Sequence, residues 1–184
     1  MKEYGLKPDD NIDGWVIDKH IGNGCVYSCH KEGYPEKKYA FKLREPQMEA
    51  YFHRELAIFD RIEKAGWHPS FQKLIDHCDD PERFYFVFSP LVTRDQNFYM
   101  ASHEELSTTN PRIFLNRFMS AIEFGLSVNI PLRNFRKEHF FIIEGAIPFF
   151  IGLSDEAAPE GVIPDFTFRY IFQSFNRINP IRSL

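Results

Sequence analysis

A glutamate on the apolar face of a predicted helix constrains the fold more than any other feature of this chain. Four apolar residues recur at spacings of three and four, which predicts a helix with one buried face, and Glu55 lies on that face. These residues are Phe52, Leu56, Phe59 and Ile62. A buried carboxylate is costly unless a cation meets it. Lys42 lies on an alternating run that predicts a half-buried strand before the helix, so we expect a Lys42–Glu55 ion pair.

The size and charge of the chain argue against several classes of protein. Its 184 residues, 43% of them hydrophobic, predict one domain of modest size or one two-lobed domain. A net charge of −4 argues against a general binder of nucleic acid or of anionic membranes. The most apolar run, Phe140 to Leu153, is short and contains Glu144 and Pro148, so we expect no membrane span.

The cysteines and the N-terminus indicate the compartment. Three cysteines are too few for a disulfide framework, and the N-terminus has no apolar signal stretch. We therefore expect a reducing compartment, cytoplasmic or nuclear. Cys25, Cys29 and Cys78, together with His30 and His77, also suggest zinc, but their spacing is unlike that of a zinc knuckle, and simple packing or exposure is the favoured interpretation.

The first half of the chain is predicted to form strands and one helix. Residues 1–13 are polar and predict a loose lead-in, and residues 31–37 contain Gly33 and Pro35, which predict a hairpin loop. The helix is predicted from about Pro46 to Ala65. Strands are predicted at Trp15–Ile17, Val26–Cys29, Lys38–Leu43, Phe71–Ile75 and Phe84–Phe88.

The second half begins with another predicted helix. Asn110 and Pro111 predict its start, and the helical pattern continues to about Ser127. Its predicted buried face consists of Ile113, Phe114, Phe118, Ile122 and Leu126. A hairpin is predicted next, with strands at 140–143 and 146–151, and a last helix at 165–177 is predicted to be capped by Asp165.

Several short motifs follow one another in the order found in eukaryotic protein kinases. They are Ile21-Gly22-Asn23-Gly24, Ala40-Phe41-Lys42, Glu55, His68-Pro69, Phe84 to Leu91, Leu126 to Phe135 and Asp165-Phe166-Thr167-Phe168. On these motifs the chain resembles eukaryotic protein kinases from about Trp15 to Phe175. The resemblance implies an α+β, bilobal fold: an antiparallel N-lobe sheet plus one helix, and a minimal, truncated helical C-lobe. It implies a lead-in at 1–13, an N-lobe at 14–91 and a C-lobe at 92–184.

The positions that carry kinase chemistry depart from the family pattern. By the resemblance, Asn134 stands at the catalytic aspartate, His139 at the metal-binding asparagine, and Phe150 at the aspartate of the Asp-Phe-Gly motif. Asparagine cannot accept the substrate proton, and phosphoryl transfer relies on metal ions to neutralise charge. The resemblance therefore implies a pseudokinase rather than an enzyme.

The nucleotide site implied by the resemblance is vestigial. Its glycine-rich loop is about three residues short, Phe88 takes the gatekeeper position, and Phe141 falls near the floor of the adenine site, where it would tend to fill the cavity. We therefore expect no cofactor, with weak ATP binding left open. The residues retained for nucleotide binding are Gly22, Gly24, Val26, Ala40, Lys42, Glu55 and Leu91.

The predicted C-terminal helix is apolar on several sides, and a helix of that kind requires burial on most faces. The resemblance implies a truncated C-lobe in which the family's later helices have no counterpart, so we expect the same residues to be either core or an interface. As an interface, they would bind a protein partner or a second copy of this chain. The residues concerned are Phe166, Phe168, Tyr170, Phe172 and Phe175.

Three hypotheses about function follow from the sequence. The first is a pseudokinase that acts as a scaffold or inhibitor of another protein, in which Lys42–Glu55 is purely structural. The second is a nucleotide-binding switch or atypical phosphotransferase that uses Lys42 with unusual metal ligands such as Asp155 or His139. The third is that the chain is an engineered or spliced fragment.

Overall fold

The computed structural model describes part of the chain. Described are residues 5–21, 24–93, 96, 110–130, 139–143, 147–151 and 153. The sequence predictions on Gly22, Asn134 and Asp155 lie outside these residues, as do the predicted helix at 165–177 and the five residues on it that are predicted as core or interface.

A six-stranded sheet, antiparallel throughout, forms from the predicted strands and one more short strand. The strands run in the order β1-β2-β3-β4-β6-β5 across the sheet. Their bounds are β1 Asn11–Ile12, β2 Trp15–His20, β3 Val26–Lys31, β4 Tyr34–Arg44, β5 Lys73–Cys78 and β6 Phe84–Ser89. Strand β1 lies inside the predicted lead-in and pairs with β2, and the Asp9 amide donates to the Ile17 carbonyl at 2.9 Å.

The predicted hairpin loop at 31–37 is wrong in extent. Lys31 pairs directly with Tyr34, so the turn consists of Glu32 and Gly33 alone. Gly33 has a φ of 84°, which glycine adopts at no steric cost and which allows a two-residue turn. Pro35 has no backbone amide to donate to the sheet. It is tolerated because, after Tyr34, the next residue of β4 that pairs with β3 is Tyr39.

Successive side chains along each strand point to opposite faces of the sheet, and apolar side chains are buried on both faces. On β6, Phe84, Phe86 and Phe88 point to one face, while Tyr85 and Val87 point to the other. The second face forms a hydrophobic core of its own, made of Trp15, Ile17, Tyr27, Cys29, Phe41, Tyr85 and Val87.

Helix α1 (Glu49–Lys64) covers the phenylalanine face of β6. A single 3-10 turn, Pro46–Met48, precedes it. The Phe52 ring lies 4.8 Å from Phe84 and 4.4 Å from Phe86, and the Phe59 ring lies 5.0 Å from Phe88. The aromatic side chains of one helix face thus pack on those of one strand face, as the spacing predicts.

The chain divides into two compact units. Unit 1 consists of Met1–Asp60 and Gln72–Val92, and unit 2 of Arg61–Phe71 and Thr93–Leu184. In unit 2 the described elements are α2 (Pro111–Ser127), β7 (Phe140–Ile143) and β8 (Ile147–Phe150), with β7 and β8 paired as the predicted hairpin.

Helix α2 begins at the predicted cap, but its buried face differs from the prediction. The Asn110 Oδ1 atom accepts hydrogen bonds from the backbone amides of Arg112 and Ile113, at 3.0 and 3.4 Å. Ile113 and Leu126 are 46% and 60% exposed rather than buried. The buried stripe consists of Phe114, Phe118, Ala121 and Gly125.

No helix in the described part of the chain is long and apolar enough to span a membrane.

Candidate functional site

The predicted ion pair between β4 and α1 is present in unit 1. The Lys42 Nζ atom donates to Glu55 Oε1 at 2.7 Å. The Glu55 side chain is 1% exposed and that of Lys42 is 17% exposed, so the pair is largely shielded from water. Phe52 and Phe59, three residues before and four residues after Glu55, hold this part of the helix against β6.

Glu55 has a second cation that sequence reasoning missed. The Arg44 Nη2 atom donates to Glu55 Oε2 at 2.6 Å, so each carboxylate oxygen has its own charged donor. Arg44 follows Lys42 by two residues on β4, and residues two apart in a strand share a face. That spacing is the signal in the sequence that could have identified Arg44. We call Lys42, Arg44 and Glu55 the Glu55 cluster.

The two cations determine the charge state of Glu55. Burial by itself raises the pKa of this carboxyl, but the charges and hydrogen bonds of Lys42 and Arg44 outweigh burial. The pKa of Glu55 therefore lies below its ordinary value, and the side chain is ionised at neutral pH.

Several predicted nucleotide-site residues share the sheet face that carries the Glu55 cluster. Val26 pairs with Lys42 across β3 and β4, and Ala40 pairs with Phe88 across β4 and β6. Because cross-strand partners point to the same side of a sheet, Val26, Ala40, Lys42 and Phe88 lie on one face. Leu91 follows the end of β6 and is half-buried.

The segment between β2 and β3 is closed by contacts of its described residues. The Ile21 amide donates to the Val26 carbonyl at 2.8 Å. A ring nitrogen of His20 lies within hydrogen-bond distance of the Gly24 carbonyl oxygen, and the His20 ring packs against Tyr27 at 5.2 Å. Gly24 has a φ of 81°, a conformation that favours glycine. His20, which sequence reasoning missed, therefore connects the end of β2 to Gly24 and to Tyr27 of β3.

Phe150, at the position of the metal-binding aspartate in the resemblance, is a core residue of unit 2. It is 3% exposed, and its ring stacks on Phe140 with centroids 5.2 Å apart and an interplanar angle of 25°. The rings of Phe71 and Phe118 lie 5.8 and 5.9 Å from it. The Phe150 amide also donates to the Ser70 carbonyl at 2.8 Å. The strand therefore directs this side chain into an aromatic cluster.

The other two predicted residues of unit 2 lie on the same hairpin. His139 is half-buried just before β7, and its backbone carbonyl accepts a hydrogen bond from the Ile151 amide at 3.0 Å. Phe141 lies on β7 and is 7% exposed.

The residues considered for zinc are not brought together as a metal site. The described residues contain no group of three or more histidine, cysteine and acidic side chains that could hold a metal ion. Burial raises the pKa of the Cys29 thiol to about 12, and the nearby Asp18 carboxylate acts in the same direction. His30 instead joins Lys38 on the carboxylate of Asp18, at 2.9 and 2.7 Å.

Comparison with known proteins adds a structural likeness. No protein-family model matches the chain, and no curated protein sequence matches it. The solved structure titled PpkA-294, in its apo form, is similar to this chain with a TM-score of 0.59 and 16% sequence identity. The match covers 83% of this chain and 62% of that one, so this chain spans less than two thirds of its structural neighbour.

This likeness concerns the fold alone, because the identity is low. It supports a protein-kinase-like fold, and the curled six-stranded antiparallel sheet is consistent with the N-lobe of such a fold. The truncated helical C-lobe remains a prediction.

Proposed function

We propose that this chain is a catalytically inactive member of the protein-kinase-like superfamily that acts by binding another protein, as a scaffold or as an inhibitor. The observation that carries the proposal is the burial of Phe150. A metal-binding carboxylate at that position would have to reach a bound nucleotide, whereas Phe150 is 3% exposed and stacked on Phe140.

Two further departures in the sequence support the same proposal. Asn134 stands where the family has its catalytic base and His139 where it has a metal-binding asparagine. Loss of the base removes the acceptor for the substrate proton, and loss of the metal ligands removes most of the charge neutralisation. With all three positions changed, phosphoryl transfer has no support from these residues.

The Glu55 cluster fits a structural role. Its carboxylate is 1% exposed and bound by two cations, which holds α1 to the sheet without any ligand. The same sheet face carries Val26 and Ala40, so weak nucleotide binding stays an alternative that experiment must test.

Nucleotide binding is tested by thermal unfolding of the purified protein with and without ATP and Mg²⁺ or Mn²⁺. We expect no metal-dependent rise in Tm at millimolar ATP. Ligand at about 100 times its Kd adds about 2.7 kcal/mol, a rise of roughly 5 to 10 °C for a protein of this size. A rise that is lost in Lys42→Met and kept in Lys64→Met, a control at an exposed helix position, would favour the nucleotide-switch alternative.

A positive result would also need a metal ligand. Asp155 and His139 are the candidates that the sequence offers for this alternative. Asp155→Asn and His139→Ala would then each weaken the metal-dependent rise in Tm. If neither did, the rise would report binding without the proposed metal site.

The partner is proposed to bind through the predicted C-terminal helix. The five residues concerned lie outside the described part of the chain, so their role rests on the sequence alone. Light scattering coupled to size exclusion should show a dimer or larger species if the partner is a second copy. In that case Phe168→Asp and Phe172→Asp should yield a monomer that keeps its circular dichroism. A monomeric wild type would exclude the homodimer and direct the search to a different protein.

A further inference from the structure

The Glu55 cluster gives one buried carboxylate two cationic partners. Lys42 and Arg44 contribute one positive charge each, and Glu55 contributes one negative charge. The two cations bind different oxygens, Lys42 at Oε1 and Arg44 at Oε2, so they do not compete for one acceptor. Removal of either cation therefore leaves the other with its contact intact.

Arg44 lies where it can hold α1 independently of Lys42. It pairs with Phe84 at the end of β4, whereas Lys42 pairs with Phe86, and both of these phenylalanines contact the Phe52 ring of α1. The Arg44 side chain is 16% exposed, and its Nε atom is buried with no hydrogen-bond partner among the described residues. Glu55 is therefore the carboxylate that compensates for the burial of this guanidinium.

We infer that Arg44 is a positioning residue that keeps α1 docked on the sheet whatever Lys42 binds. With a single lysine, any anion that drew the ammonium away would leave a buried carboxylate unpaired, and the helix would tend to move. With Arg44 on the second oxygen, the carboxylate keeps a cation, so the position of α1 does not depend on whether Lys42 contacts Glu55 or another anion. This inference goes beyond the proposed binding role and does not depend on it.

Amide hydrogen exchange across residues 49–60 tests the inference in the whole protein. We expect Lys42→Met and Arg44→Met each to raise exchange in this segment by less than about 10-fold, because one cation remains on Glu55. The double variant should raise exchange by on the order of 100-fold or more, because the buried carboxylate then has no cation. Arg54→Met, which removes an exposed arginine of α1, serves as the control and should leave exchange unchanged.

Two results would overturn the inference. If Lys42→Met alone raised exchange as much as the double variant, Arg44 would not be holding the helix. If Arg44→Met had no effect in either background, the guanidinium contact would be without consequence.

A third substitution separates positioning from general loss of packing. Glu55→Gln removes the charge that both cations serve, so in the Lys42→Met protein Arg44→Met should raise exchange in 49–60 less when Glu55→Gln is present than when it is absent. Equal effects in the two backgrounds would count against a role through Glu55. If the double variant fails to fold, Arg44→Lys in the Lys42→Met background replaces it, and residues 49–60 should then stay as protected as in Lys42→Met alone, because a cation remains on Glu55. No nucleotide is added, so these results are independent of the test of the proposed function.

Discussion

The Glu55 carboxylate shows how one residue can determine the packing of a helix. A charged group that is 1% exposed is tolerated because Lys42 and Arg44 supply charge-assisted hydrogen bonds at 2.7 and 2.6 Å. The net gain from such a group is small, but removal of its partners is expensive, because an unpaired charge would remain buried. Glu55 therefore specifies where α1 docks more than it adds to stability.

The first prediction concerns the pH dependence that Glu55 causes. Because its pKa is held below the ordinary value of 4.5, its ionised form stabilises the folded state above that value, and this contribution is lost as the pH falls. Glu55→Gln should be less stable than the wild type at pH 7, and the difference in their free energies of unfolding should decrease as the pH falls from 5 to 3. Urea unfolding at several pH values measures the free energy of unfolding of both proteins.

Asp18 provides the control for this measurement. Burial raises the pKa of Asp18, but hydrogen bonds and charges from Lys38 and His30 outweigh burial and lower it, so Asp18 also contributes to acid sensitivity. The pH-dependent difference in the free energy of unfolding between proteins with Glu and with Gln at position 55 should persist when both proteins also carry Asp18→Asn. A difference that did not change with pH would contradict the assignment to Glu55.

At the scale of single elements, α2 shows that a helical pattern can be recognised while its buried face is misplaced. The predicted stripe has spacings of one and four and the observed stripe has spacings of three and four, and both contain Phe114 and Phe118. The observed stripe continues through the small residues Ala121 and Gly125, which let another element approach closely. Hydrophobicity favoured Ile122 and Leu126, but packing on β8 selects the neighbouring side of the helix.

The second prediction follows from this face. Phe118 is 2% exposed and its ring lies 5.9 Å from the rings of both Phe140 and Phe150, so Phe118→Ala should lower the free energy of unfolding by about 3 to 5 kcal/mol. Leu126, which is 60% exposed, should tolerate alanine within about 0.5 kcal/mol. Chemical denaturation of the two variants measures both values. A larger cost for Leu126→Ala would mean that another surface covers this residue.

At the scale of the whole molecule, curling of the sheet brings together strands that are distant in its order. The indole Nε1 of Trp15 on β2 donates to Asp76 Oδ2 on β5 at 2.8 Å, although 61 residues separate them. On the neighbouring strand β6, the Tyr85 hydroxyl donates to Asp13 Oδ2 at 3.0 Å. These contacts enclose the aromatic core of the second sheet face.

The third prediction tests this closure. Trp15→Phe keeps most of the apolar ring and removes the indole donor, so it should lower the free energy of unfolding by about 1 to 3 kcal/mol. In a double-mutant cycle with Asp76→Ala, the two losses should be less than additive, because each variant removes the same hydrogen bond. If the two losses of unfolding free energy, measured by urea denaturation, were additive, the Trp15–Asp76 hydrogen bond would not contribute to stability.

Patterns along the chain were enough to predict five of the six strands of the sheet, α1, α2, the β7–β8 hairpin and the Lys42–Glu55 pair, because spacing along one helix or strand is a local property. The two-residue turn at Gly33 and the Arg44 contact are also encoded locally, in a glycine and in the alternation of β4. Three other features depend on tertiary contacts: Phe150 joins an aromatic core, α2 buries Ala121 rather than Leu126, and the Trp15 indole donates to Asp76. These outcomes depend on which distant surfaces meet, and no pattern within one element specifies its partner.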